Sequence, residues 1–245
     1  MKQQGVAPSE ATCQAAADHG HMHVLQHLHA EGCMSGRVCD AAAARRGDLV
    51  MLKWAHEHGY SWDSTDICKS AVYSHNAELM AWLVQQPGVE LTADVMATAA
   101  QSGDKAMCEL LLANQCPLDV QCCLCAAQAG IHKHGNFELL RWFRQHNCPW
   151  WVEDLAHQAA QDGSIALLEY MQQEGVEFTV ELLTELLSVA GAFNRLTLAK
   201  LLREQGAEWP AELRAQGDYY EDDQWSGDVL EWARAEGCDS PLSYY

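Results

Sequence analysis

The segments "MLKWAHEHGYSWD" (Met51 to Asp63), "LLRWFRQHNCPWW" (Leu139 to Trp151), "LLEYMQQEGVEFT" (Leu167 to Thr179) and "VLEWARAEGC" (Val229 to Cys238) are variations on one pattern. Self-similarity at a short period restricts the fold more than any other feature of this chain, because each unit is one supersecondary element that must bury its apolar face on its neighbours. The first apolar position of the pattern falls at Val24, Met51, Leu79, Met107, Leu139, Leu167, Leu198 and Val229, with spacings of 27, 28, 28, 32, 28, 31 and 31 residues. One unit of about 28 residues, with short insertions, therefore fills nearly all of the 245 residues. The units run roughly 10–37, 38–65, 66–94, 95–121, 122–153, 154–181, 182–213 and 214–245, and are expected to form a single domain, 1–245, capped by the first and last.

Within a unit, apolar residues stand at the marked position and one, three and four residues later, as in Met51, Leu52, Trp54 and Ala55, which is the stripe of a short amphipathic helix. It is expected to stop at Gly32, Gly59, Gly175, Gly206 and Gly237 or at Asn147, residues that tolerate the left-handed conformation, and at Pro87 in the third unit. Upstream lie small-residue segments, "CQAAADHG", "DAAAARRG", "CKSAVYSH", "MATAAQSG", "CCLCAAQAG" and "LAHQAAQDG". They read as a first helix of about nine residues, closed by Gly20, Gly47, Gly103, Gly130 or Gly163, whose paired alanines let neighbouring backbones approach closely. Helices this short are marginal alone in water, so their stability has to come from stacking. A third element follows the second helix and places Trp62, Leu118, Trp150, Phe178 and Trp209 at matching positions, where each can seal the gap between successive units.

A helix–turn–helix unit with a small-residue first helix and a second helix ending L-L-x-x-G resembles the ankyrin repeat. The "LKWxxxxGCPWD" flavour is similar to the divergent short ankyrin repeats of protist, algal and giant-virus sequences. The resemblance covers nearly the whole chain and implies an all-α fold, an α-solenoid of about eight stacked repeats. The "TPLH" opening and the 33-residue period of standard ankyrin repeats are missing, so the projecting β-hairpin fingers should be short or absent. A plain α-solenoid of another type is the alternative.

The net charge of −19 argues against nucleic-acid binding, which needs a positive surface to displace counterions, and suits a basic protein partner better. From Ala207 onward ten Asp or Glu face only Arg214 and Arg234, with "YYEDD" (Tyr219 to Asp223) at the centre, as expected of a solvated acidic cap. No apolar run is long enough to span a bilayer, and the first thirty residues do not read as a signal peptide. The expected location is the cytosol or nucleus, with no membrane partner and a monomeric state. Eleven cysteines, an odd number, then read as reduced thiols rather than disulfides.

Two clusters invite a metal reading. "CCLCAAQAGIHKH" (122–134) holds three cysteines and two histidines, but Cys123 occupies the repeat position of Cys13, Cys68, Met96 and Ala156, a small apolar slot. Cys33, Cys116, Cys148 and Cys238 share another slot, just after the second helix. The repeat does not explain "IHKHG" (Ile131 to Gly135), a five-residue insertion, and its spacing fits no familiar zinc module. In "HGHMHVLQHLH" (His19 to His29), His23 and His27 lie four apart and could pinch a metal, yet polar residues in a terminal repeat are also what a solubilising cap requires. The expectation is no cofactor and no metal, the alternative being a metal-binding or thiol-redox protein that uses the clusters at 19–29 and 122–134.

No phosphate-cradling glycine loop, nucleophile elbow or H-E-x-x-H pair is present, and "HEHG" at His56 lacks its second histidine, so no catalysis is expected. Ankyrin arrays line their concave side with first helices. The resemblance therefore implies an exposed column two residues before each turn, at Asp18, Arg45, Tyr73, Gln101, Gln128 and Gln161, with Gln14, Lys69 and His157 one turn earlier; its changing chemistry fits a partner-binding face, and a merely solvated face is the alternative. Trp151 is a second candidate, since it stands where Asp63 and Asp119 occupy the equivalent position; as an exposed aromatic it could anchor a partner. The competing expectation packs it under the insertion. The function expected is that of a non-catalytic protein–protein interaction scaffold.

Overall fold

The alternation of small-residue segments and apolar stripes is realised as pairs of helices. The structure, a computed structural model of the chain, describes residues 10–32, 40–132, 135, 137–210 and 227–238. Among them are fifteen helices and no strand: α1 (Glu10–Asp18), α2 (Met22–Ala30), α3 (Asp40–Arg45), α4 (Leu49–Glu57), α5 (Ser64–Tyr73), α6 (Ala77–Leu83), α7 (Ala93–Ser102), α8 (Lys105–Ala113), α9 (Val120–His132), α10 (Glu138–Gln145), α11 (Val152–Asp162), α12 (Ile165–Gln173), α13 (Val180–Ala192), α14 (Leu196–Glu204) and α15 (Gly227–Ala235). No helix among the described residues is long and apolar enough to cross a membrane.

The chain divides into two compact units, Met1–Cys125 and Ala126–Tyr245. In the first, α1, α3, α5 and α7 each pack against the next, and α2, α4, α6 and α8 each pack on the first helix of their own pair. In the second, α11 packs on α12 and α13, α13 on α14, and α14 on α15. First helices meet through alanine: Ala16, Ala17, Ala43, Ala44, Ala99, Ala100, Ala159 and Ala160 are all buried. The stripes of the second helices, such as Met51, Leu52 and Ala55 or Leu167, Leu168 and Met171, are buried too.

The turn inside a pair is short, a left-handed residue followed at once by the cap of the second helix. Gly47 precedes Asp48, His75 precedes Asn76, Gly103 precedes Asp104 and Gly163 precedes Ser164. Each cap accepts from the backbone N–H three residues on: Asp48 from Met51 (3.0 Å), Asn76 from Leu79 (3.0 Å), Asp104 from Met107 (3.0 Å) and Ser164 from Leu167 (3.3 Å). These turns are stitched to one another. Arg46 donates to the Ala17 carbonyl, Asn76 Nδ2 to that of Gly47 at 3.1 Å, and Arg195 Nε to that of Gln161 at 2.7 Å. Gly163, at φ +72°, leaves the room this last stitch needs, for a Cβ there would stand 2.9 Å from Arg195 Cδ.

Two expected boundaries move. Gly130 does not end its helix: α9 runs on through the first two residues of the insertion to His132, and Gly135, at φ +84°, donates its N–H back to the Gly130 carbonyl at 2.9 Å. Pro87 does not stop α6, which ends at Leu83 with the Gln85 and Gln86 N–H groups closing on the Trp82 and Leu83 carbonyls; the proline lies beyond that turn. The first helix of the seventh unit, α13, has 13 residues, because its only glycine, Gly191, is buried inside it rather than placed at a turn. Cys33, Cys39, His134, the "YYEDD" segment and the polar leading segment of the eighth unit lie outside the described residues.

Asp104 combines the cap with a link between successive helix pairs, since His75 Nδ1 lies 2.9 Å from its carboxylate. Partial burial pushes its pKa up, but the His75 contact and the Met107 N–H outweigh that and hold it below the ordinary 3.8. A carboxylate with a lowered folded pKa contributes stability that is present above its unfolded pKa and is lost as pH falls through the folded value. Asp104→Ala is therefore expected to cost about 1 kcal/mol at neutral pH, a Tm loss of about 2–4 °C. Thermal melts should show the gap from wild type closing below about pH 4; an unchanged gap at pH 2.5 would refute the assignment.

Candidate protein-binding face

In the first unit the column residues sit on four successive neighbours. Asp18, Arg45, Tyr73 and Gln101, from α1, α3, α5 and α7, are all exposed, Tyr73 at 54%. Gln14 is exposed and donates to Asp18 at 3.0 Å along its own helix. Lys69 is half-buried and reaches across to Asp94 of α7 at 3.0 Å, so it ties two first helices together and is only partly available to a partner.

In the second unit Gln161 is exposed, whereas Gln128 and His157 are half-buried. Because α9 continues past Gly130, Gln128 sits inside the helix rather than at its last turn, and its amide bonds that of Gln158 on α11 at 3.2 Å. His157 donates from Nδ1 to the Glu153 carbonyl, 2.7 Å away, and turns Nε2 toward Glu185 of α13 at 3.8 Å. The column is thus partly a set of rungs between adjacent first helices.

Trp151 is 60% exposed, which overturns the expectation that it packs beneath the insertion. Its backbone is the N-cap of α11, in the slot where Asp63 caps α5 through the Thr65 and Asp66 N–H groups and Thr179 caps α13 through that of Leu182, and the indole makes no cap bond. Beside it Glu153 and Asp154 are exposed, and on α13 so are Val180, Glu181 and Glu185. Phe193, at the C-terminal end of α13, is 50% exposed. Val180 and Phe193 escaped the sequence reading because the small-residue signature used to find first helices is absent from "VELLTELLSVAGA".

The repeated aromatics are half-buried. Trp62 stacks on His56 with ring centres 4.9 Å apart, and Trp82 closes on both from the next pair. Arg144 lies 4.3 Å over the Trp150 ring and donates to the Cys148 carbonyl at 2.9 Å. Arg203 repeats this over Trp209 at 4.4 Å and donates to the Ala207 carbonyl. An Arg or His six residues before the Trp was the legible signal for this clasp.

The cysteine slots are packed. Cys13, Cys68, Met96, Cys123 and Ala156 have no exposed surface, and Cys116, Cys148 and Cys238 are buried. The nine described cysteines are free thiols. Cys122 turns toward Asp119 Oδ1 (3.3 Å), and Cys125 takes a contact from Gln121 Nε2 (3.6 Å). His23 and His27 are exposed. His29 bonds the Tyr60 hydroxyl at 2.6 Å within a cluster of Trp54 and His58 rings. Among the described residues no three His, Cys, Asp or Glu side chains are gathered as metal ligands.

Burial, with smaller contributions from neighbouring thiols and acids, pushes Cys68, Cys108 and Cys116 up from 9.0 to about 12. Their thiolate fraction near pH 8 is then lower by about a thousandfold, in addition to steric protection. In a protein carrying Cys33→Ser and Cys39→Ser, thiol titration with an aromatic disulfide is expected to be slower by a hundredfold or more in the native state than in denaturant. A thiol reacting at the denatured rate in native buffer would reverse this reading.

No protein-family model matches the chain, and no curated protein matches it.

Proposed function

We propose that the chain is a non-catalytic protein-interaction module, an ankyrin-type array of short helical repeats whose first-helix residues hold a basic partner protein. The observation that carries this reading is Trp151. At a helix start where Asp63 and Thr179 supply cap bonds, this residue forgoes about 1 kcal/mol of capping and presents an indole to solvent. A local rule broken without an internal gain is the mark of a site used by something else, and an exposed tryptophan is a frequent centre of binding energy.

Charge supports the nature of the partner. Residues 145–194 contain eight Asp or Glu and no Lys or Arg, and Glu153, Asp154, Glu181 and Glu185 are exposed there near Trp151 and Val180. In the first unit the variation from Asp18 to Arg45, Tyr73 and Gln101 over buried alanines suits selection of a particular surface. High thiol pKa values and packed cysteines weigh against the thiol-redox alternative.

Trp151→Asp separates the two roles. It is expected to raise Tm by about 2–4 °C by restoring a cap, and to weaken partner binding by a factor of thirty or more. Affinity capture from native lysate should lose the same protein with Trp151→Asp and with the triple variant Arg45→Glu, Tyr73→Ala, Gln101→Lys, and its retention on wild type should fall as salt rises. Undiminished capture by Trp151→Asp, or a lowered Tm, would rule the indole out as the anchor.

A further inference from the structure

Two histidines meet across the first two helix pairs. His29 is in the last turn of α2 and His58 closes the C-terminal end of α4; their ring centres are 4.7 Å apart, with the planes at 85°. The repeat accounts for one nitrogen of His58. At the same place in their own pairs Gln86, Asn114 and His146 each donate a side-chain N–H to the carbonyl four residues back, at 2.8 Å, and His58 Nδ1 does so to Trp54 at 2.7 Å. A carbonyl only accepts, so Nδ1 carries the hydrogen and Nε2 of the neutral ring keeps a lone pair.

The repeat does not account for His29. It stands in the slot where Arg144 and Arg203 clasp a tryptophan and His56 stacks on one, but the residue six places on is Ser35. It turns instead to the second pair, its ring at 83° to the Trp54 indole and its Nδ1 2.6 Å from the Tyr60 hydroxyl. A hydroxyl oxygen accepts as well as donates, so this ring too can hold its hydrogen on Nδ1 and keep the lone pair on Nε2. Among the described residues neither Nε2 has a hydrogen-bond partner.

We infer that His29 and His58 together bind a divalent transition-metal ion of the imidazole-preferring group, zinc or its neighbours nickel and copper. Metal–nitrogen bonds of about 2.0–2.1 Å put the ion about 3 Å from each ring centre, so two imidazoles on one ion have centres about 4.5–5.2 Å apart at bond angles of about 90–110°. The observed 4.7 Å lies within that span. A hydrogen bond at Nδ1 is what orients a ligating imidazole, and both rings have one. Both also sit at C-terminal helix ends, where the dipole favours a cation, beside the exposed Glu31 and Glu57. His58 is exposed and His29 half-buried, so two protein ligands hold the ion and water completes its shell. His21 and His23, with ring centres 6.0 Å apart and no orienting hydrogen bond among the described residues, lack these features. The site shares no residue with Trp151 or the column and does not depend on the interaction-module reading; an ion here would tie the first pair to the second.

The test is a zinc titration of the metal-stripped, untagged full chain carrying Cys33→Ser and Cys39→Ser, followed by the ring ¹⁵N resonances of its histidines. A single equivalent is expected to bind with submillimolar affinity and to shift Nε2 of His29 and His58 together, while millimolar magnesium moves neither. His58→Gln can keep the carbonyl bond that Gln86 makes in its own pair, so the fold tolerates it. It and His29→Gln should each weaken zinc binding at least tenfold, and zinc should raise the Tm of the parent but not of His58→Gln. His146→Gln alters a histidine that has the same Nδ1 bond and faces no second histidine among the described residues, and it and His23→Gln should change the affinity less than twofold. The proposal fails if neither Nε2 resonance moves up to millimolar zinc, if His29→Gln or His58→Gln binds as tightly as the parent, if His146→Gln or His23→Gln costs as much, or if magnesium matches zinc.

Discussion

The close approach of successive first helices is the contact on which the rest of each unit depends. Helices of six to thirteen residues do not persist alone in water, and their second-helix partners have only one apolar stripe to offer. Alanine at Ala16–Ala17, Ala43–Ala44, Ala99–Ala100 and Ala159–Ala160 lets backbones come near enough to bury both sides. That spacing then fixes the turns. A pair of helices seated so tightly has room for only a left-handed residue and a cap between them, and the stitches from Arg46, Asn76 and Arg195 cross from one turn to the next because the turns lie one above another.

What the sequence made legible follows from the same contact. Period, helix pairing and the packed role of cysteine can be read because burial repeats: a slot filled by Cys13, Cys68, Met96, Cys123 and Ala156 can only be small and apolar. Turn chemistry is less legible where it depends on local alternatives. Asn147 was recognisable as a left-handed residue, and Asn194 is another, but His75 and Gln115 adopt the same conformation with side chains that signal it less. Gly130 misled for the converse reason: a glycine tolerates a turn but does not impose one, and the apolar Ile131 continues the helical surface. Gln128 followed it, turning from a presumed end-of-helix residue into a rung between α9 and α11.

The departures from the repeat concentrate in the second unit. An indole takes a cap position at Trp151, and an insertion ends at Gly135 in the left-handed region that glycine adopts without strain. The indole forgoes a cap bond and the insertion interrupts the period, so their presence together in one unit argues that this unit is where the repeat has been adapted.

The fate of the cations explains why that adaptation is acidic. Arg195 is committed to a carbonyl oxygen, Arg144 and Arg203 to carbonyls and tryptophan faces, and Arg46 to the Ala17 carbonyl and the Asp48 carboxylate. Carbonyls and ring faces hold a guanidinium in place without engaging a carboxylate. With only 15 Lys and Arg against 34 Asp and Glu, spending the arginines on internal clasps leaves carboxylates such as Glu153, Asp154 and Glu181 facing solvent. Their mutual repulsion is a standing cost that salt screens and a basic partner removes.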